Sequence, residues 1–542
     1  MICIECYPGV FEDDICGAIR DSDPSARIIR SRCALKTSAE IEALLARDLT
    51  DDPVFGYLTN LELKDFFGCE RLKQVKEAFQ EVVTGPTFVV GAGAVLLCEK
   101  PDTLVFADLA RWEIQQRQRR NEIGNLGAGN ESADPSAKYK RGVFVDWRVA
   151  DRFKARLLPR IDFLLDTNKR REPKMISGEM FRKGLSAAVK QPFRLVPFFD
   201  PGPWGGQWLR NTCCLPSGPP NYAWCFDCVP EENSLLLGFG NVRIEVPALD
   251  LVFSHPRELL GDAVHARFGT EFPIRFDLLD TMQGGNLSLQ VHPLTEYIQQ
   301  KFGMHYTQDE SYYLLDAGDD ACVYLGLKEQ LDREMMIREL QRAQNSGDSF
   351  SAERYVNVWP ARKHDHFLIP AGTIHCSGRN CLVLEISATP YIFTFKLWDW
   401  GRLGLNGRPR PVHLEHGIQN IQWDRTTGWV ERELVNRIEQ VAQGEDWREE
   451  RTGLHPREFI ETRRHWFSGA VQHHTFGSVN VLNLVEGSEI IVESPSGAFQ
   501  PMMVHFAETF VVPAGVGSYI VRPAFATSTP FATIKASVRT GV

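Results

Sequence analysis

No apolar run in this 542-residue chain is long enough to cross a bilayer as a helix. The longest weakly polar stretch, Thr87 to Cys98 (TFVVGAGAVLLC), falls short of the roughly 18 to 20 residues required and reads as a buried strand. A basic excess is missing too. Lys and Arg number 60 against 70 Asp and Glu, a net charge of −10, so no global positive field exists to hold nucleic acid or an anionic membrane. The N-terminal MICIECYPGVFEDD carries no basic segment, so a secretory signal is not expected and the chain reads as cytoplasmic. There the 13 cysteines, an odd number scattered from Cys3 to Cys381, are expected to be reduced thiols. Neither Cys3 with Cys6 nor Cys225 with Cys228 has a second knuckle at zinc-ribbon spacing. The chain also lacks a GxxxxGK[ST] phosphate loop, a short-period repeat and any low-complexity tract.

What is present is an ordinary globular composition, 43% hydrophobic, 24% charged and 11% aromatic, over a length that predicts several cored units. The first 190 residues alternate strand-like runs with charged helical stretches, an α/β pattern. TFVVGAGAVLL and DTLVFADL read as adjacent strands and GVFVDWRVAD (142–151) as the next. Between them lie a helix over 110–120 and a Gly/Asn/Ser-rich loop over 124–136, expected to be mobile. After the DPGPWGG segment at 200–206 short β-runs dominate, SLLLGFGNVRIEV among them, as in a sandwich or small barrel. Helical insertions are expected near 330–344 and 430–451. The expected architecture is an α+β multidomain chain: an α/β domain over 1–190, a β domain over 191–420, a helical segment over 421–460 and a second β domain over 461–542. Two segments, HFLIPAGTIHCSG and TFVVPAGVGSYIV, look like versions of one hairpin.

The chemistry concentrates in Gln290-Val291-His292-Pro293, Glu310 and His375. In a strand Gln290 and His292 leave the same face, so both can reach one ion. With Glu310 and His375 from neighbouring strands, that ion sees two imidazoles, a carboxylate and an amide oxygen, which suits Zn²⁺ or another divalent transition metal with open positions for substrate. A lone histidine is usually a hydrogen-bonded core residue; the joint spacing argues otherwise here.

These motifs resemble the cupins, and within them the class I mannose-6-phosphate isomerases. The metal motifs QVHP and IPAGTIH are joined, in the family's order from about residue 195 to 420, by WGG (204–206), FPIRFDLLDT (272–281), LEIS (384–387), LWDWGR (397–402) and GRPRPVHLEHGI (407–418). The resemblance implies a cupin fold for both β domains and interconversion of mannose 6-phosphate and fructose 6-phosphate through an enediol. It implies Gln290, His292, Glu310 and His375 as metal ligands, Arg402 as the catalytic or phosphate-side cation, Asp399 as a general acid/base and Glu385 as a further candidate. The implied partner is a hexose phosphate, with no nucleic acid and no membrane; a homo-oligomer is open.

The sequence departs from that family at two places. Gln308 stands where members carry Lys two residues before the metal Glu, and Asp277 stands at another usually basic position. Arg275, Lys301, Lys396 and Arg408 are candidates to replace the lost charge. In the second hairpin the position matching His375 is Ser518, so the C-terminal domain is expected to lack metal ligands. Residues 1–190 vaguely resemble the uridine kinase and phosphoribulokinase kind of fold without its phosphate loop, which implies a degenerate domain that binds a nucleotide or a partner. His364 and His366 are weaker candidates for outer support of the ion. The competing readings are an Fe²⁺-dependent cupin dioxygenase and a non-catalytic sugar-binding protein.

Overall fold

The computed structural model describes residues 1–78, 85–389, 392–453, 455–526 and 529–540. The chain forms two units, one comprising Met1–Ala188, Glu231–His255 and Lys301–Gly303, the other Val189–Pro230, Pro256–Gln300 and Met304–Val542.

The first unit is built on a six-stranded sheet. Its strands are β1 (Ile2–Cys6), β2 (Arg27–Arg30), β3 (Thr87–Gly91), β4 (Thr103–Asp108), β5 (Phe163–Asp166) and β6 (Lys174–Ser177), in the order β2-β3-β1-β4-β5-β6. All pair in parallel except β6. Parallel strands need crossover connections, here supplied by helices such as Glu12–Ser22 and Ser38–Leu49. The second of these starts at a reciprocal capping box between Thr37 and Glu40.

Several sequence expectations fail in this unit. TFVVGAGAVLL is not one strand: it stops at Gly91, and Gly93, at φ +78°, turns the chain into a short helix over Ala94–Leu97. Nor are β3 and β4 adjacent, because β1 lies between them and pairs with both. GVFVDWRVAD is helical, a π-turn over Gly142–Asp146 running into Trp147–Leu157. A short apolar run fits strand and buried helix equally, and here the buried Val145 and Val149 recur at helical spacing. The loop over 124–136 is tied down: the Asp146 carboxylate accepts from Asn125 Nδ2 at 2.8 Å and Leu126 N at 3.2 Å. SLLLGFGNVRIEV forms the hairpin Ser234–Phe239 with Val242–Pro247 and belongs to this unit. Behind that hairpin Asp250 meets Lys154, whose ammonium sits 2.5 Å from both the Asp250 and Asp108 carboxylates, all three buried.

The second unit holds two pairs of sheets. In the first pair, a six-stranded sheet contains Ile274–Asp280, Glu310–Ala317 and Cys381–Ala388. A five-stranded sheet contains Cys322–Leu327, His375–Ser377, Leu289–Val291 and Phe395–Trp398. Glu310–Ala317 and Cys381–Ala388 are buried along nearly their whole length, so neither shows the alternation of a half-exposed strand. The second pair comprises a six-stranded sheet that includes Trp447–Gly453, Ile460–Phe467, Asn480–Glu486 and Phe531–Val538, and a four-stranded sheet that includes Val471–His474 and Ser518–Pro523.

The helix expected near 330–344 is observed over Arg333–Ser346. The one expected over 430–451 is confined to Thr427–Glu433, and the rest forms the strands Glu439–Gln443 and Trp447–Gly453. Their Glu and Arg content suits a helix locally, but tertiary pairing decides: Glu439 sits opposite Arg451, and Glu449 opposite His465. All thirteen cysteines carry free thiols. Among the described residues no helix is long and apolar enough to cross a membrane.

Candidate metal centre

Leu289–Val291 is a three-residue strand clamped between two others, with Gln290 directly opposite His375 on one side and Lys396 on the other. Opposed residues project from the same face, so this register gathers Gln290, His375 and Lys396. His292 follows one step beyond the strand, and Glu310 opens a strand of the other sheet. Glu310 Oε1 lies 2.8 Å from His375 Nε2 and Oε2 lies 3.0 Å from His292 Nε2, with all three side chains fully buried. Ligand atoms of His292, Glu310 and His375 fall within 4.8 Å of one another, the one such set among the described residues. The Gln290 amide completes the group, 3.2 Å from His375 Nε2. An amide can present its oxygen in place of its nitrogen by a half-turn.

The hydrogen bonds fit a cation. His292 Nδ1 donates to Phe393 O at 3.1 Å and His375 Nδ1 to Thr373 O at 2.9 Å. A carbonyl can only accept, so in the neutral rings each Nε2 keeps its lone pair, the arrangement typical of metal-bound imidazole. Two lone pairs and a carboxylate then face one another in a dry site, a set of acceptors that a divalent ion would hold together.

Support comes from around the IPAGTIH turn. Arg425 Nη1 donates to Pro370 O at 2.7 Å and Ala371 O at 2.8 Å, and Asp309 Oδ1 accepts from Ala371 N at 2.8 Å. Sequence reasoning missed both, since neither stands in a recognisable motif. Gln308 donates to Glu310 Oε2 at 3.1 Å and is itself buried. Glu385 lies opposite Asp277 and Tyr312 and pairs with Arg275, which also donates to Asp277 Oδ1 at 2.8 Å. Burial pushes Glu385 well above the usual carboxylate range, with Glu310 and Asp277 adding to it. Asp277 is pushed up to about 6 by burial.

A cationic wall lies at the end of Phe395–Trp398. Asp399 Oδ1 accepts from Arg402 at 3.0 and 2.7 Å and from Ser288 Oγ at 2.8 Å, while Oδ2 accepts from Arg410 at 2.9 Å. Both guanidiniums lie over the Trp204 ring, at 5.5 and 4.7 Å. Arg410, within the GRPRPVHLEHGI segment, was not singled out from sequence. Of the four cations considered as replacements for lost charge, Arg275 is consumed by two carboxylates and Lys301 and Arg408 are exposed. Lys396 is the one that stands at the site. Burial, reinforced by Arg410, pushes it down to about 7.

His364 and His366 contact groups outside the His/Glu/His cluster. His364 bonds Tyr313 and Glu486, and His366 stacks edge-on to Tyr313 with neither ring nitrogen hydrogen-bonded among the described residues.

A double-sheet domain with a buried His/Glu/His cluster that could hold a metal ion fits the expected cupin fold. Comparison with known proteins is more specific. The chain is 28% identical over 233 residues to mannose-6-phosphate isomerase ManA of Bacillus subtilis, covering 43% of this chain and 68% of that one. It is 28% identical over 217 residues to mannose-6-phosphate isomerase of Streptococcus mutans, covering 40% and 63%. The crystal structure of mannose 6-phosphate isomerase from Bacillus subtilis shares the fold at a TM-score of 0.52 and 19% identity, over 64% of this chain and 99% of that one. Residues 1–190 match a family described as a domain of unknown function, DUF8485; the kinase likeness gains no support from these matches. The chain is an isomerase-type enzyme fused to that domain.

Proposed function

We propose that this protein interconverts mannose 6-phosphate and fructose 6-phosphate, or a closely related sugar pair, using a divalent ion held by Gln290, His292, Glu310 and His375. The observation that carries the reading is the buried His/Glu/His set with three cations, Lys396, Arg402 and Arg410, close by in the same domain. The ion, when bound, supplies Lewis acidity for the sugar's carbonyl and hydroxyl oxygens as negative charge develops on the enediol. Arg402 and Arg410, oriented by Asp399 and backed by Trp204, offer planar donors to the phosphate. They take over the charge that Gln308 and Asp277 do not provide. With its carboxylate saturated by these donors, Asp399 positions the arginines, and Glu385 buttresses Glu310. Lys396, held near neutrality, is the group suited to moving a proton between carbons 1 and 2.

The test is direct. Mannose 6-phosphate with Zn²⁺, Mn²⁺ or Co²⁺ should yield fructose 6-phosphate, and His375→Ala should lose bound metal together with at least about a hundredfold in kcat/KM while keeping its circular dichroism. Turnover absent with every metal, or oxygen consumption in its place, would favour the sugar-binding or dioxygenase readings.

For the first unit, the strand order β2-β3-β1-β4-β5 supports a kinase-like α/β layer whose β1-to-helix loop, Tyr7–Phe11, has no lysine. Its role is then that of a nucleotide-binding or partner-binding domain without phosphoryl transfer.

A further inference from the structure

The C-terminal pair of sheets carries a half-open hollow of about 970 Å³ that no part of the isomerase reading uses. One end of this sandwich is an apolar core that includes Phe467, Leu482, Leu484, Phe510, Tyr519 and Val521. The other end is polar on the inside. The register of the six-stranded sheet sets Glu449 opposite His465, Arg463 opposite Lys535, and Glu461 opposite Ser537. All six line the cavity, with His473 projecting from the facing sheet and Trp447 on the wall.

Such a lining is costly unless something satisfies it. His465 is 3% exposed and His473 4%; their rings stand 4.4 Å apart, and among the described residues His465 Nδ1 and His473 Nε2 have no hydrogen-bond partner. Lys535 is 9% exposed, and the carboxylate oxygen it approaches, Glu449 Oε1, is 3.9 Å away. A buried polar group left without a partner is destabilising, so their convergence in one hollow asks for a polar occupant. The hollow exceeds the space of one water by more than an order of magnitude and falls in the ~300–1,000 Å³ range of small-molecule sites.

The charges narrow its chemistry. Glu449 and Glu461 are engaged by Arg463, at 3.1 and 2.6 Å, and Arg539 lies 3.6 Å from Glu461. Three cations against two carboxylates leave one positive charge in excess, near Lys535. A metal is disfavoured by those cations. A tryptophan face, hydroxyl-binding His, Glu, Ser and Asn480, and one surplus cation suit a hydroxylated ring or chain carrying a single anionic group.

The geometry points to a second ligand site in the C-terminal β-sandwich, for a small polyhydroxylated anion, a sugar acid or sugar phosphate, held by Lys535, His465 and His473. It is separate from the metal centre and does not rest on the isomerase assignment.

Isothermal titration of the full-length protein against gluconate, glucose 6-phosphate, glucose and inorganic phosphate tests it. Gluconate or glucose 6-phosphate is expected to bind with Kd below about 1 mM, the responsive one telling carboxylate from phosphate, and to quench Trp447 fluorescence. Lys535→Met and, as a second variant, His473→Leu should each weaken that binding at least about tenfold while bound metal and isomerase turnover stay at the wild-type level. Saturation by neutral glucose alone, no binding by any of the four, or binding unchanged in both folded variants would overturn the site.

Discussion

At the scale of residues, the decisive feature is how environment divides labour among similar groups. Asp399 and Glu310 are both buried carboxylates, yet one is saturated by two arginines and a serine and the other faces two imidazole lone pairs. Lys396 and the paired arginines likewise differ, since only the lysine is held near neutrality, at about 7, by burial and the adjacent Arg410. In the proposed role of base it acts when unprotonated, so kcat/KM is expected to rise with pH through about 7. Lys396→Met should flatten that rise and lower kcat by about a hundredfold or more, with metal content and KM little changed. A pH profile unaltered by the substitution would remove Lys396 from proton transfer. The meeting of Gln290, His292, Glu310 and His375 was legible because residue type and spacing limit what Gln-x-His, a distant Glu and a hairpin His can build. Arg410 and Arg425 were not, because their partners, Asp399 and the Pro370 and Ala371 carbonyls, become neighbours only through folding.

At the scale of elements, the metal centre depends on two short pieces of backbone. The strand carrying Gln290 is only three residues long and draws its order from its neighbours on each side. The turn before His375 contains Gly372 at φ +86°, where a Cβ would meet Gln422 Cγ at 2.7 Å and Asn420 O at 2.9 Å. Gly372→Ala is therefore expected to cost about 1–3 kcal/mol and to lower metal occupancy, since His375 sits three residues on; melting temperature and metal analysis check both. The elements misread from sequence share a cause. GVFVDWRVAD and the charged stretch after Glu433 each fit helix and strand locally, and the choice was made by what each packs or pairs against.

At the scale of the whole molecule, buried ionisable groups set the conditions under which each unit stands. In the first unit, Lys154 holds two otherwise uncompensated carboxylates, Asp108 and Asp250; Lys154→Met should destabilise that unit by about 3–5 kcal/mol, read by thermal or denaturant unfolding. In the second, burial pushes His366 down to about 3 and His465 down to about 4. A histidine kept neutral in the fold binds its proton only on unfolding, so its contribution is complete above about pH 6.5 and is lost as pH falls toward the folded value. His366→Phe should remove about 2 kcal/mol of the stability change between pH 7 and pH 5, measured by unfolding at both; an equal slope in variant and wild type would contradict this. By itself the sequence determined that no helix among the described residues is long and apolar enough to cross a membrane, the alternation of an α/β region with β domains, and the residue types that meet in the candidate metal centre, because composition, periodicity and motif spacing are local properties. Only the tertiary structure decided that a hairpin from mid-chain joins the first unit, which cations lie near the candidate metal centre, and that the C-terminal sandwich holds a polar hollow. Those outcomes depend on strand register, which sets residues far apart in the chain side by side.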